Sequence, residues 1–175
     1  MKTHWQAALR ILRYLKTFPS LGLVYLADRD SSSEIHLIGW TDSDWAGDID
    51  NRRSTTGYCF TLGSGAISWS SKKQPTVALS STEAEYRAAC SGTCEAVWLR
   101  RLLEDFGFPQ GQKTTLRCDN QSCLAIARNP VFHARTKHIE VQYHFIREKL
   151  LDGTIFLEYC KIEDNLADLF TKALP

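Results

Sequence analysis

The sequence lacks any hydrophobic run long enough to cross a membrane, and it lacks a secretory signal, since Met1–Lys16 is polar and basic. None of its six cysteines forms a Cys-x-x-Cys pair, and no flanking histidine completes a zinc-finger spacing. These absences argue against secreted disulfide frameworks, structural zinc sites and membrane proteins. They predict a reduced intracellular protein whose cysteines mostly fill the core.

An excess of either charge is also missing. There are 21 basic and 20 acidic residues, which gives a net charge of +1. That balance neither indicates nor excludes nucleic-acid binding, because a few well-placed lysines and arginines can neutralise phosphates locally. The 175 residues fit one domain, and 43% hydrophobic and 23% charged residues are average for a globular protein. Disordered and fibrous classes are therefore excluded.

The first segment has the pattern of an amphipathic helix. Its apolar residues recur at helical spacing, and Pro19 and Gly22 follow them. The apolar stripe consists of Trp5, Ala8, Leu9, Leu12 and Leu15. This helix has to bury its stripe, either against its own domain or against a larger polypeptide to which it tethers the chain.

Beyond this helix, strand patterns come first and alternate later with helices. The predicted strands are Leu23–Leu26, Glu34–Thr41, Gly57–Leu62, Ala66–Ser70, Thr114–Cys118 and Thr154–Tyr159. We expect helices from Ser80-Ser81-Thr82 to about Gly107, and over Asn120–Ala127, Thr136–Leu151 and Asp164–Ala173. The early strands pair antiparallel through a hairpin at Gly63-Ser64-Gly65. This order predicts an α/β fold with a mixed sheet and helices on its faces.

Four carboxylates fall at positions where the ligand site of such a fold commonly lies. Asp42 ends the first long strand, and Asp119 directly follows a buried strand. Glu85 lies in the first turns of the long helix, and Asp168 lies in the final helix. Converging carboxylates repel unless a cation offsets them, and Mg²⁺ prefers such hard oxygen ligands. Two ions could activate water and stabilise a leaving oxygen at phosphorus. Taken singly, an acidic residue at such a position is more often a solvated cap than a metal ligand.

Six stretches, in order, resemble the ribonuclease H domain of copia-type LTR retrotransposon polyproteins. They are WTDSDWAGD (40–48), NRRSTTGYCF (51–60), ISWSSKKQPTVALSSTEAEYRA (67–88), LRCDNQS (116–122), RTKHIEVQYHFIRE (135–148) and EDNLADLFTKALP (163–175). The resemblance implies a ribonuclease H-like fold, with a five-stranded mixed sheet flanked by helices on both faces. It implies an endonuclease that cuts the RNA strand of RNA–DNA hybrids with two Mg²⁺ ions, for which Mn²⁺ can substitute, leaving a 5′-phosphate and a 3′-hydroxyl.

The resemblance also assigns the site. The acidic tetrad of the family falls on Asp42, Glu85, Asp119 and Asp168, which are then both catalytic residues and metal ligands. Asp42 and Asp119 would hold the metals, Glu85 would bind one of them, and Asp168 would complete the second site. Asp44 lies on the same face of the strand as Asp42 and remains an alternative first ligand. Glu83 fits a capping box better than the site, and Asp164 is expected to cap the last helix.

Polar and basic residues around the tetrad are candidates for substrate contacts. Short side chains that suit 2′-hydroxyl and minor-groove contacts are Ser43, Ser81, Thr82, Asn120 and Gln121. The basic residues that could contact phosphates are Arg52, Arg53, Lys72, Lys73, Arg135 and Lys137. Helix capping is the alternative for Ser81, Thr82 and Asn120, and solvated loop charge is the alternative for the basic residues. Trp45 and Trp69 could stack on sugars or pack in the core.

The expected partners are an RNA–DNA hybrid and a reverse transcriptase domain in the same polyprotein. Residues 1–22 resemble the segment that connects such a domain to the ribonuclease H domain, which would cover residues 23–175. No membrane is involved, and the location is cytoplasmic, within a virus-like particle, or nuclear. Two other functions remain open: a domesticated fragment that binds nucleic acid or protein with little catalysis, and an integrase-like or resolvase-like nuclease that acts on DNA.

Overall fold

The fold is built on one sheet with helices packed against it. The computed structural model describes residues 2–26, 36–128 and 140–172. Its elements are α1 (Lys2–Thr17), β1 (Leu37–Asp44), β2 (Thr55–Leu62), β3 (Gly65–Lys73), α2 (Ser81–Asp105), β4 (Thr114–Cys118), α3 (Gln121–Arg128), α4 (Glu140–Leu151), β5 (Ile155–Tyr159) and two 3-10 helices, Ile162–Asp164 and Leu166–Phe170.

The sheet has five strands in the order β3-β2-β1-β4-β5. β1, β2 and β3 pair antiparallel, whereas β4 pairs parallel with both β1 and β5. The predicted hairpin and the five-stranded mixed sheet are thereby confirmed. The predicted strand at Leu23–Leu26 is wrong: residues 21–26 form no regular element. Side-chain hydrogen bonds hold this segment on the hairpin, with the Leu26 amide donating to Ser64 Oγ at 2.8 Å.

The main core lies between one face of the sheet and helices α2, α3 and α4. Its largest fully buried side chains include Tyr86, Phe60, Leu116 and Ile146. Glycine at position 92 lets α2 approach β1 closely, because a Cβ there would collide with the Thr41 methyl group. This close approach brings the first turn of α2, and with it Glu85, to the centre of the sheet.

The opposite face of the sheet is covered by the second 3-10 helix. Trp40, Cys160 and Ala167 form a small separate cluster there. Gly57 permits the contact, because a Cβ at that position would lie 2.7 Å from Thr171 Cγ2 and 2.8 Å from the Ala167 carbonyl oxygen. The sheet is thus flanked on both faces, as expected, but a 3-10 helix rather than an α-helix covers the second face.

Two predictions about this last segment are wrong. Asp164–Ala173 was expected to be a single helix capped by Asp164, whereas two 3-10 helices are found and residues 173–175 lie outside the described residues. Asn165 provides the cap instead: its Oδ1 accepts from the Ala167 amide at 3.1 Å, while its Nδ2 donates to the Thr41 carbonyl at 3.1 Å. The second bond connects Asn165 to β1 at the point in the sequence that separates the two 3-10 helices.

Asp42 lies within β1 rather than at its end, which corrects a further expectation. β1 pairs with β2 as far as Asp44 opposite Thr55. Its parallel pairing with β4 stops earlier, at Trp40 opposite Arg117. The position beyond Trp40 is therefore an end only for the β1–β4 ladder, and beyond this end Asp42 interacts with Asp119, which follows β4, and with Asp168 of the second 3-10 helix.

Helix α1 forms as predicted, but its apolar stripe is not buried against the described part of the chain. None of its residues is buried, and Trp5, Leu12 and Leu15 are each more than half exposed. No helix among the described residues is long and apolar enough to span a membrane. The six cysteines are all free, and Cys59, Cys118, Cys123 and Cys160 are buried, in agreement with their predicted role as core residues.

Candidate metal centre

Asp42 faces the second 3-10 helix from the middle of β1. Its side chain is 5% exposed, and the Thr171 hydroxyl donates a hydrogen bond to Oδ2. Burial raises the pKa of Asp42 above its ordinary value, and the Thr171 hydrogen bond lowers it again in part. The nearby carboxylates of Asp119 and Asp168 also raise this pKa, whereas Lys172 lowers it. The charged form of Asp42 is therefore disfavoured by its surroundings.

Glu85 reaches the same site from the other face of the sheet. Ser80 begins α2, because its hydroxyl accepts from the Glu83 amide at 3.1 Å, and the Glu83 carboxylate in turn accepts from the Leu79 amide at 3.0 Å. Glu83 thus takes part in the predicted cap, and Glu85 projects inward with 6% exposure. Burial, followed by repulsion from Cys118, Asp42 and Asp119, raises the pKa of Glu85 to about 10.

Asp119 lies directly after β4, beside Cys118. Ligand atoms of Glu85, Cys118 and Asp119 all lie within 4.8 Å of one another. The Cys118 thiol is buried, with its Sγ 4.0 Å from Glu85 Oε2, and it accepts a hydrogen bond from the Asn120 amide at 3.4 Å. Hydrogen bonding to Cys123, followed by burial, raises the pKa of this thiol.

Asp168 completes the group from the second 3-10 helix. Lys172, four residues further, donates to its Oδ1, and the Asp168 side chain keeps 28% exposure. This bond, together with the charges of Asp168, Asp42 and Asp119, raises the pKa of Lys172. The four carboxylates selected from the sequence therefore lie near one another: Asp119 and Asp168 both repel Asp42, and Asp42 and Asp119 both repel Glu85.

The donor set suits a divalent cation. The four carboxylates lie near one another beside the ammonium group of Lys172, and two of the four are more than nine-tenths buried. Such like charges destabilise each other unless a cation neutralises them. Carboxylate oxygens are ligands that Mg²⁺ prefers, so the residues fit the magnesium ions that the resemblance implies.

Asp44, the alternative to Asp42, has a different use. Its Oδ1 accepts a hydrogen bond from the Thr55 amide and closes the end of the β1–β2 ladder. Although Asp44 lies on the same face as Asp42, it is Asp42 that interacts with the charges of Asp119 and Asp168. The arrangement favours Asp42 as the residue that shares a cation with them.

The expected substrate-contact residues are spread around this centre. Ser43 is buried and its hydroxyl accepts from Gln74, while Asn120 Oδ1 accepts from the Cys123 amide at 2.9 Å and so caps α3. Ser81 and Gln121 are exposed in the first turns of α2 and α3, and Thr82 is half-buried.

Among the basic and aromatic candidates, Arg52, Arg53 and Lys72 are exposed, while Lys73 pairs with Asp48. Trp45 and Trp69 are each about half exposed rather than packed in the core, and the Trp45 indole donates to the Ala78 carbonyl at 3.2 Å. Arg135 and Lys137 lie outside the described residues.

Gln74 is a site residue that sequence reasoning missed. It is 4% exposed, and its Nε2 reaches Ser43 Oγ at 3.3 Å, Thr56 Oγ1 at 3.0 Å and the Ala84 carbonyl at 3.0 Å. One amide therefore joins β1, β2 and the first turn of α2, and fixes Glu85 relative to Asp42. Its position in the third matched stretch was the available signal. Thr171 and Lys172 were missed as well, although their spacing from Asp168 places them one turn away.

Comparison with known proteins gives relatives over nearly the whole chain. The chain is 46% identical over 174 residues to the retrovirus-related Pol polyprotein from transposon TNT 1-94 of Nicotiana tabacum, which covers 99% of this chain and 13% of the relative. It is 42% identical over 171 residues to that from transposon RE2 of Arabidopsis thaliana, covering 98% and 12%. The chain thus spans about one eighth of these relatives. No protein-family model matches it.

Solved structures share the fold at low sequence identity. LC11-RNase H1 isolated from compost superimposes with a TM-score of 0.58 at 16% identity, over 76% of this chain and 90% of that one. The same enzyme in complex with an RNA/DNA hybrid gives 0.51 at 14% identity, over 77% and 92%. The prototype foamy virus protease-reverse transcriptase gives 0.57 at 15% identity, over 85% and 22%. Over nearly its whole length the chain is thus homologous to one segment of the retrovirus-related Pol polyproteins of copia-type transposons, and it has the fold of the solved RNase H structures.

Proposed function

We propose that this chain hydrolyses the RNA strand of RNA–DNA hybrids, using two divalent cations held by Asp42, Glu85, Asp119 and Asp168. The observation that carries the proposal is that these four carboxylates, which are far apart in the sequence, lie close enough to repel one another in a ribonuclease H-like fold. The polyprotein relatives and the hybrid-bound neighbour support the substrate class.

Each residue has a definite part in the proposed reaction. Asp42 and Asp119, from adjacent parallel strands, would hold both ions, Glu85 would bind one of them, and Asp168 would complete the second. When bound, the cations supply charge neutralisation and activate a water for in-line attack at phosphorus, which leaves a 5′-phosphate and a 3′-hydroxyl. The Thr171 hydroxyl keeps Asp42 oriented and Lys172 orients Asp168.

Polar residues in the first turns of α2 and α3 are the proposed substrate contacts. Of these, Ser81 and Gln121 are exposed and Thr82 is half-buried. Ser43 and Asn120 are engaged inside the protein, so we propose that they act by holding β1 and α3 in position.

We further propose that residues 1–22 connect the domain to a preceding reverse transcriptase domain. Helix α1 exposes Trp5, Leu12 and Leu15 and buries nothing against the described domain, which suits a helix that packs on another part of a polyprotein. Deletion of residues 1–22 is expected to leave the melting temperature of the domain unchanged within about 2 °C. A large fall would show that α1 packs on its own domain.

Cleavage of a labelled RNA–DNA hybrid in Mg²⁺ tests the function. We expect Asp42→Asn and Asp119→Asn to lower the cleavage rate by 100-fold or more. Asp44→Asn is the matched control, because it neutralises a neighbouring carboxylate on the same face of β1, and it should retain a rate within about tenfold of the unaltered chain.

The other functions make different predictions in the same assay. Binding of the hybrid without Mg²⁺-dependent cleavage would indicate a binding module. Equal cleavage of duplex DNA would indicate an integrase-like or resolvase-like nuclease. Loss of activity in Asp44→Asn but not in Asp42→Asn would reassign the first ligand.

A further inference from the structure

One side chain at the carboxylate centre, that of Cys118, offers a sulfur atom where the others offer oxygen. Cys118 ends β4, immediately before Asp119, and its sulfur lies 4.0 Å from Glu85 Oε2. In the part of the chain that the structure describes, ligand atoms of Glu85, Cys118 and Asp119 all approach one another within 4.8 Å. A thiol is thus built into the wall of a site whose remaining ligands are oxygens.

Sulfur and oxygen ligands select different metals. Mg²⁺ binds hard oxygen ligands and gains little from a thiolate, whereas Zn²⁺ binds thiolate and carboxylate together in tetrahedral sites. With Zn–S of about 2.3 Å and Zn–O of about 2.0–2.2 Å, neighbouring ligands of such a site lie roughly 3.3–3.6 Å apart. The three atoms here need to close by about 1 Å, which rotation of the Glu85 and Asp119 side chains can supply.

We propose that Cys118, Glu85 and Asp119 form a binding site for Zn²⁺ and other thiophilic divalent cations, which overlaps the Mg²⁺ site and inhibits the enzyme. On binding, a metal–sulfur bond forms at Cys118 and a metal–oxygen bond forms at Glu85, and the protons of the thiol and of the Glu85 carboxyl pass to buffer. Water fills the fourth ligand position. Because Glu85 and Asp119 serve both sites, Zn²⁺ and Mg²⁺ compete. The binding does not depend on catalysis, whereas the inhibition rests on the proposed function.

Two other thiols have to be removed before metal binding at this site can be measured. Cys90 and Cys94 lie one turn apart on α2, Cys94 is exposed, and the two thiols hydrogen-bond to each other. They could bind the same cations. The experiment therefore uses the full chain with Cys90→Ser and Cys94→Ser as its background.

Co²⁺ is the probe for binding, because a cobalt–thiolate bond gives a near-ultraviolet charge-transfer band. We expect one equivalent of Co²⁺ to produce this band in the background chain and Zn²⁺ to abolish it. Added Cys118→Ser should remove the band, whereas added Cys123→Ser, which alters a buried thiol beside Cys118 but outside the cluster, should retain it. A band that persists in Cys118→Ser, or no band in the background chain, would overturn the proposal.

Competition by Mg²⁺ gives a test that needs no change at Cys118. Excess Mg²⁺ is expected to displace Co²⁺ and to bleach the band in the background chain, since the two ions share Glu85 and Asp119. A thiolate band that Mg²⁺ leaves unchanged would place the cobalt elsewhere and contradict the overlap. This measurement stands even if Cys118→Ser fails to fold.

Inhibition is measured last, on hybrid cleavage. We expect the Zn²⁺ concentration for half-inhibition to rise with Mg²⁺ and to be at least tenfold higher in Cys118→Ser than in the background chain. Equal Zn²⁺ sensitivity of the two would overturn the inhibitory role. If Co²⁺ binds through Cys118 but Mg²⁺ supports no cleavage, the binding site stands and the proposed function fails.

Discussion

Neutralising Glu85 should remove a pH-dependent instability of the metal-free protein. Burial and neighbouring negative groups raise the pKa of Glu85 from 4.5 to about 10, so the native carboxyl is protonated at neutral pH without metal. The unfolded chain ionises above pH 4.5 and then binds fewer protons than the native one. Stability is therefore full below pH 4.5 and declines as the pH rises towards about 10. Glu85→Gln resembles the protonated acid and lacks this decline.

The size of the effect follows from proton linkage. One proton difference corresponds to about 1.4 kcal/mol for each pH unit, so the unaltered chain loses up to about 4 kcal/mol of unfolding free energy between pH 5 and pH 8. Asp42 adds a smaller decline of the same sign, because its pKa is raised as well. That part remains in Glu85→Gln.

Urea unfolding in EDTA at several pH values measures the difference. Glu148→Gln is the control, because this glutamate is exposed on α4, far from the carboxylate centre. Saturating Mg²⁺, at about 100 times its dissociation constant, should restore about 2.7 kcal/mol to the unaltered chain at pH 8. Parallel stability profiles for the unaltered chain and Glu85→Gln would refute the reasoning, since they would show that Glu85 ionises normally.

Three further substitutions test how the site is positioned. Gly57→Ala should push away the 3-10 helix that carries Asp168 and raise the Mg²⁺ concentration for half-maximal cleavage at least tenfold, while circular dichroism stays unchanged. Gln74→Leu removes three hydrogen bonds and should lower the unfolding free energy, measured in a denaturant melt, by about 2–3 kcal/mol. The same substitution should reduce kcat more than it raises KM. Thr171→Val removes the donor to Asp42 and should weaken Mg²⁺ binding several-fold in calorimetry at pH 7; unchanged binding would contradict that role.

Much of the fold could be predicted because local patterns and tertiary contacts agree. β4 matches its predicted bounds of Thr114–Cys118, and the cap of α2 falls at Ser80 as its Ser-Ser-Thr-Glu sequence indicates. The last helix was mispredicted because a long-range bond decides it. The Asn165 amide donates to Thr41, 124 positions away, and no local periodicity reveals such a bond.

The acidic residues of the centre could be chosen from motifs, but their supporting contacts could not. Gln74 resembles any polar residue in a loop until β1, β2 and α2 meet around it. The roles of Thr171 and Cys118 likewise depend on which helix covers each face of the sheet and on how closely that helix approaches the strands. Spacing along the chain contains no such information.

The second 3-10 helix is attached to the sheet separately from the large core, so the carboxylate centre can be disrupted while the core stays folded. Asn165 and the close fit at Gly57 hold this segment, while the large core lies on the opposite face of the sheet. Detachment of the segment would carry Asp168 and Thr171 away and leave that core intact. Amide hydrogen exchange should accordingly be faster at Ala167–Lys172 than at Leu116, and heating should abolish cation binding before the helices of the core melt.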